Sequence, residues 1–348
     1  MHGKPKKSGK DRDLTRAYLT GAFDEDRVDA EQRFGQRSKH HQKNKTVRTQ
    51  QQRSDEELSK LPAGEVIQVH SLFSDVLGDD GVMYRCVQRK TLAKVSETQI
   101  VVGDRVRFTV SPELNDKAKN EAVMEAIEPR KTLLVRADSF KAIEVHPIVA
   151  NAEQMLIVAA LHLPEVKWGL IDRMVIAARS GGLDPIVCLN KIDTATDEDD
   201  LRQADEVLAH YATLGIRTLK TGAISMTGID ELRAILKDKL TVLAGHSGVG
   251  KSSLVRAVEP SIDLRVGDIS RIHNKGMHTT TSARKYPLGF GSHVIDTPGV
   301  KLFGIWHVDK ESLLALFPDV EADTAPDWRE DSYQRILESL PEKIEEET

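Results

Sequence analysis

The 348-residue chain predicts a doubly wound α/β sheet with a small closed β-barrel in front of it and a helical extension behind. Three observations predict this. Between Gly64 and about Arg130, short alternating segments, 65-EVIQVHSLF-73, 82-VMYRCVQR-89, 100-IVVGDRVRFTV-110 and 122-AVMEAIEP-129, are separated by Gly and Asp turns, the pattern of half-buried strands. After Arg136 continuously apolar runs alternate with amphipathic stretches, as in a parallel sheet covered on both faces. Beyond Lys301, 309-DKESLLALF-317 and 331-DSYQRILESL-340 carry apolar residues three and four apart, the helical period.

Several short strands in so few residues describe a small barrel, of which the OB-fold is the commonest oligonucleotide-binding form. An SH3-like barrel would look similar. In the α/β region the expected strands are 154-QMLIVAAL-161, 185-PIVCLN-190, 216-IRTLKT-221, 240-LTVLAG-245 and 292-SHVID-296. Helices are expected near 169–180, 199–213 and 228–239, and from Lys251. The organisation is therefore a basic arm over 1–60, a barrel over 61–132, the α/β domain over 133–305 and an acidic helical region over 306–348.

The chain is 39% apolar, enough for sizeable cores. No run approaches the length needed to span a bilayer, and MHGKPKKSGKDRD at the start lacks the apolar stretch of a signal peptide, so a cytoplasmic protein with no membrane partner is expected. Cys86 and Cys188 are too few for a disulfide framework and read as buried small apolar residues. The net charge of -5 hides an asymmetry: residues 32–53 hold seven Lys or Arg and no acid, whereas residues 319–348 hold eleven Asp or Glu against Arg329, Arg335 and Lys343. A basic arm without apolar periodicity suits polyanions through phosphate neutralisation; from charge alone, a solubilising tail is an equal alternative.

The chemistry is carried by three motifs. Gly245-His246-Ser247-Gly248-Val249-Gly250-Lys251-Ser252, followed by Ser253, fits G-x-x-x-x-G-K-[ST], follows an apolar strand and opens a helix. Its glycines let successive backbone N–H groups point at phosphate oxygens, Lys251 would hold the β and γ phosphates, and Ser252 would ligate Mg²⁺. Asn190-Lys191-Ile192-Asp193 ends a strand, where open α/β sheets bind ligands. Asp193 can accept from the adjacent N1–H and N2–H₂ donors of guanine while Asn190 contacts the Hoogsteen edge, so the turn selects GTP over ATP. Finally, 296-DTPG-299 fits D-x-x-G: Asp296 would bind Mg²⁺ and the Gly299 N–H would sense the γ-phosphate. Between Ser252 and D-x-x-G lies 276-GMHTTTS-282, a switch-like segment in which a threonine, Thr280, would complete the Mg²⁺ shell.

The guanine reader precedes the phosphate loop, the reverse of the usual order. This is a circular permutation, which a compact domain with surface termini tolerates. One catalytic part is missing: Val300 follows D-x-x-G where a Gln usually orients the attacking water. His278 is the nearest polar candidate, with an exposed loop histidine as the alternative.

The order NKID, GHSGVGKSSL, HTTT, DTPGV after a small barrel resembles the RsgA (YjeQ) family of circularly permuted bacterial GTPases that act in late assembly of the small ribosomal subunit. The resemblance covers roughly residues 64–305, including 103-GDRV-106, 129-PRKTLLVR-136 and 151-NAEQMLIV-158. It implies an OB-fold, a permuted GTPase domain, hydrolysis of GTP to GDP stimulated by the 30S subunit, and contact of the basic arm with 16S rRNA. The chain is expected to act as a monomer with GTP/GDP and Mg²⁺. The implied catalytic set is Lys251, Thr280, His278, Asp296 and Gly299, with Mg²⁺ at Ser252, Thr280 and Asp296. Two departures stand out. No cysteine follows Cys188, so the family's C-terminal zinc module is not expected. Thr221-Gly222-Ala223 stands where the family commonly has Ser. A competing reading is a GTP-dependent RNA-binding switch with negligible hydrolysis.

Overall fold

The computed structural model describes residues 55–88, 99–110, 120–136, 146–195, 197–262, 283–297, 303–305 and 308–340. Residues 1–54 of the basic arm, His278, Thr280, Gly299 and Val300 lie outside the described residues. After a short helix α1 (Asp55–Ser59), strands β1 (Ala63–Val69), β2 (Ser74–Gly78), β3 (Met83–Gln88), β4 (Arg105–Val110) and β5 (Glu121–Ile127) form the barrel. Their order is β1-β2-β3-β5-β4, with β4 pairing back onto β1 and β3 running parallel to β5. This closed five-stranded arrangement is the OB-fold. Val66, Val76, Cys86, Val106, Phe108 and Met124 fill its interior. The stretch 65–73, expected as one strand, is broken after Val69: the His70 N–H donates to the Phe73 carbonyl at 2.9 Å. A turn closed by that bond, without Gly or Pro, carries no sequence signal, and β2 was hidden behind it.

A hairpin of β6 (Leu133–Arg136) and β7 (His146–Ala150) leads into the α/β unit. There β8 (Gln154–Ala160), helix α2 (Trp168–Ser180), β9 (Asp184–Asn190), helix α3 (Glu198–Thr213), β10 (Arg217–Lys220) and helix α4 (Ile229–Leu236) follow one another. They are succeeded by β11 (Leu240–Ala244), helix α5 (Lys251–Val258), β12 (Arg284–Pro287) and β13 (His293–Asp296). The sheet order is β10-β9-β8-β11-β13-β12, parallel throughout except for β12. All seven residues of β8 are buried. They alternate between two cores: Met155, Ile157 and Ala159 face α2 and α3, while Leu156, Val158 and Ala160 face α4 and α5. From β8 the chain steps outward through β9 and β10, then returns to the centre as β11. The carboxyl ends of β8 and β11 therefore flank the point where strand order reverses, which is where such sheets place ligands.

Barrel and α/β sheet are one continuous structure. Strand β12, absent from the sequence reading because its four residues give too short a pattern, pairs with β13 on one side and with β1 through Gln68 and Arg284 on the other. Lys285 on β12 donates to both carboxylate oxygens of Glu65 on β1 at 2.7 Å. Elsewhere on the junction Gly103 (φ +89°) touches the hairpin, where a Cβ would stand 2.0 Å from the Ala150 carbonyl oxygen; only glycine fits there.

The expected C-terminal helix over 309–317 is α6 (Lys310–Ala315), followed by a short helix α7 (Pro318–Glu321) and by α8 (Asp327–Ser339). Asp309 and Ser312 form a reciprocal capping box at the start of α6, and Pro318 restarts the chain as the first residue of α7. Leu313, Phe317, Ile336 and Leu340 pack on Ile176 of α2. At the centre of this contact is Arg329, fully buried. Its Nε donates to Asp319 at 3.0 Å, its Nη1 donates to Asp172 of α2, and its guanidinium lies 4.1 Å from the centre of the Phe317 ring. Tyr211 of α3 donates to Asp172 at 2.6 Å, and His210 is paired with Asp319 at 2.8 Å. The described part of the acidic region, to Leu340, is thus folded onto the α/β domain through an arginine.

Candidate functional site

The loop from Gly245 to Gly250 joins β11 to α5 across the reversal point. Gly245 (φ +129°) passes so near β8 that a Cβ would lie 2.1 Å from the Val158 carbonyl oxygen. Val249 is buried and anchors the loop, while His246, Ser247 and Gly248 are exposed. Gly250 caps α5 in the left-handed conformation, without a side-chain cap and with no acid in the first turn. The first N–H groups of α5 thus face outward uncapped, an arrangement suited to an anion. Lys251 Nζ donates to the carbonyl oxygens of Gly245 at 2.8 Å and His246 at 3.0 Å, and so arches over the loop. Burial pulls its pKa below the usual lysine range, against the opposing pull of Asp296. Ser252 is half-buried in the first turn and Ser253 is exposed.

Asp296 ends β13 beside β11, in register with Leu243. It is 4% exposed. Burial pushes its carboxyl up to about 6, although Lys251 and the Thr297 N–H favour the ionised form. Fold topology thus brings Lys251 and Asp296, 45 positions apart (296 − 251), into one electrostatic unit.

Asn190 lies at the carboxyl end of β9 and is 1% exposed. Its Nδ2 donates to the Val249 carbonyl at 2.8 Å, and its Oδ1 accepts from Thr221 at 3.0 Å. One amide hydrogen is thereby committed to tying the Asn190 turn to the Gly245–Gly250 loop. Lys191 (φ +61°) sends Nζ 2.7 Å to the Leu163 carbonyl. Asp193 is exposed, in a 3₁₀ turn (Ile192–Thr194), and accepts from the Ser225 N–H at 3.1 Å. Two supports come from the segment that follows β10: the Thr221 hydroxyl, fully buried and also 3.2 Å from Cys188 Sγ, within the Thr221-Gly222-Ala223 stretch singled out in the sequence, and the Ser225 N–H, which the sequence reading did not name.

Of the expected site residues, the structure gathers Asn190, Lys191, Asp193, Gly245 to Ser253 and Asp296 at one end of the sheet. His278, Thr280 and Gly299 lie outside the described residues. Among the described residues no three His, Cys, Asp or Glu cluster as a metal site. The donors at hand for Mg²⁺ are the Ser252 hydroxyl and the Asp296 carboxylate, both hard oxygens that suit that ion.

A family model described as RsgA GTPase matches residues 127–306. The chain belongs to the RsgA GTPase family. A Haemophilus influenzae protein named small ribosomal subunit biogenesis GTPase RsgA is 34% identical over 316 residues, covering 83% of this chain and 88% of that protein. RsgA 1 of Vibrio vulnificus is 36% identical over 290 residues, covering 76% and 79%. Among solved structures, YjeQ from Thermotoga maritima aligns with a TM-score of 0.62 at 30% identity, over 80% of this chain and 98% of that one. YloQ, a circularly permuted GTPase, aligns with a TM-score of 0.59 at 20% identity over 83% and 98%, a likeness of fold. The permuted order read from the motifs is thus a property of the RsgA fold, and the chain is a GTPase.

Proposed function

We propose that this RsgA-family GTPase acts in biogenesis of the small ribosomal subunit, hydrolysing GTP to GDP and phosphate in the cytoplasm with turnover stimulated by the 30S subunit. The observation that carries the GTP site is the bond from Asn190 to the Val249 carbonyl. It locks the guanine turn to the phosphate loop, as a ligand with a base at one end and phosphates at the other requires.

Asp193 would accept from the guanine edge, and Asn190 would offer its free amide hydrogen. The N–H groups from Gly245 to Ser253 would cradle the phosphates, and Lys251 would exchange its two loop carbonyls for phosphate oxygens. Ser252 and Asp296, with Thr280, would hold Mg²⁺. When bound, that ion supplies charge neutralisation at the phosphates. The chain's own contribution is positioning and the preorganised N–H and ammonium donors. Gly299 and His278 would complete the site, His278 at the water that Val300 cannot orient.

The barrel and the basic arm would contact 16S rRNA, with the protein acting as a monomer. Supporting this, Arg85 on β3 lies 4.4 Å from the Phe73 ring centre and His70 stacks on Phe73 at 4.3 Å, on the strand face and loop that OB-folds use for oligonucleotides. GTP turnover with and without purified 30S subunits tests the proposal. Stimulation is expected, and equal turnover in both would sink the subunit-dependent mechanism in favour of a GTP-dependent RNA-binding switch.

A further inference from the structure

The bond from Asn190 to the phosphate loop fixes the direction of a longer chain of donors behind it. The Val249 carbonyl can only accept, so the amide nitrogen of Asn190 must face it and Oδ1 must face Thr221. A hydroxyl carries one hydrogen. That of Thr221 is committed to Asn190 Oδ1 at 3.0 Å, so toward Cys188 Sγ, 3.2 Å away, the Thr221 oxygen can act only as acceptor. The thiol is therefore the donor. The chain runs from the Cys188 S–H to Thr221, from Thr221 to Asn190, and from Asn190 to the Val249 carbonyl.

Strand geometry puts these groups in line. Cys188 and Asn190 lie two apart on β9, so both point to the same side of the sheet. Leu219 of β10 is in register with Cys188, and Thr221, two further on, closes against β9 through its N–H, which donates to the Leu189 carbonyl at 2.8 Å. Cys188 and Thr221 are fully buried, which keeps bulk water from replacing the thiol as donor. Burial pushes the Cys188 thiol up to about 12, so it keeps its hydrogen at neutral pH. A buried cysteine in an apolar strand is ordinarily a packing residue. This one stands behind a polar oxygen that is costly to leave without a donor, at the head of a chain whose members strengthen one another.

We infer that Cys188 is a positioning residue for the guanine nucleotide: its thiol, acting through Thr221, holds the Asn190 amide in the orientation that turns nitrogen toward both the phosphate loop and the base. This rests on reading Asn190–Asp193 as the guanine turn, with Asn190 at the Hoogsteen edge. The test titrates the full chain with GDP and with 7-deaza-GDP, in which carbon replaces the N7 acceptor of that edge. The parent should prefer GDP by about five- to tenfold, the worth of one hydrogen bond. Cys188→Val removes the donor while filling its space and should bring that preference below about twofold; Cys188→Ala, which crowds nothing, should do the same. Cys188→Ser keeps a donor and should retain the parental preference. An unchanged preference in Cys188→Val and Cys188→Ala overturns the inference, and so does an equal weakening of both nucleotides, the mark of looser packing alone. Loss of the preference in Cys188→Ser as well would show that shape and not the donor matters, and overturns it too. If the parent does not distinguish the two nucleotides, the placement of Asn190 at the base falls and the role of Cys188 with it, a failure told apart from the others because it is seen in the unaltered chain.

Discussion

Two buried clusters in this molecule set a cation against carboxylate, and they are built to opposite ends. At the C-terminal junction Arg329 is enclosed by Asp172, Asp319, Tyr211 and Phe317, with direct hydrogen bonds to both carboxylates. At the phosphate loop Lys251 rests on backbone carbonyls and reaches Asp296 only through its field, and burial leaves Asp296 with a carboxyl pushed up to about 6. The first cluster bonds its cation directly to both carboxylates and holds helices together, while Asp172 Oδ2, Asp319 Oδ1 and Arg329 Nη2 are left without a hydrogen-bond partner. The second leaves Lys251 and Asp296 without a bond to each other, which suits the proposed binding of phosphates and a divalent cation.

That contrast breaks if both clusters respond alike to removal of a charge. Arg329→Ala should cost the most, about 3–5 kcal/mol in urea unfolding, because two carboxylates stay buried without their cation. A loss below about 1 kcal/mol would show the junction to be dispensable. Lys251→Ala should leave stability nearly unchanged yet weaken transition-state stabilisation by about 3–4 kcal/mol, read as GTP turnover.

Asp296→Asn sharpens the comparison because its expected sign is opposite to that of Arg329→Ala. A carboxyl raised from 3.8 to about 6 is harder to ionise in the fold than in the unfolded chain. Its cost to stability is absent below about pH 4, grows as pH rises through that window, and is complete above about 6. Asp296→Asn should therefore stabilise the nucleotide-free protein by about 2–3 kcal/mol at pH 7.5 and by nothing at pH 4, while turnover falls. Equal effects at the two pH values would refute the assignment. The smallest effect belongs to the domain junction: Glu65→Gln leaves the Lys285 ammonium with a neutral partner and should cost about 1–2 kcal/mol in thermal unfolding.

Much of this was legible in the residues. The strand-loop-helix context of Gly245–Ser252, the turn after 185-PIVCL-189 and the aspartate after 292-SHVI-295 each lie where a continuous apolar run meets a break, so local pattern located them. What local pattern missed had a common cause. β12 and the β6–β7 hairpin are four or five residues long, too short to show a period, and β2 follows a turn marked by no Gly or Pro. Arg329 reads as one charge in an acidic tail; nothing in its neighbours tells that it is the least exposed arginine of a packed interface.

Chain chemistry alone determined the class of ligand, because a glycine-rich loop with its lysine and an N-K-x-D turn are complete within a few residues. Only the folded sheet decided how those pieces act together. The return of β11 to the centre sets Val249 under Asn190 across 59 positions, puts Lys251 in the field of Asp296, and seats Ser225 on Asp193. These couplings depend on strand order and on burial, which arise from contacts between residues far apart in the chain and have no signature in any one stretch of it.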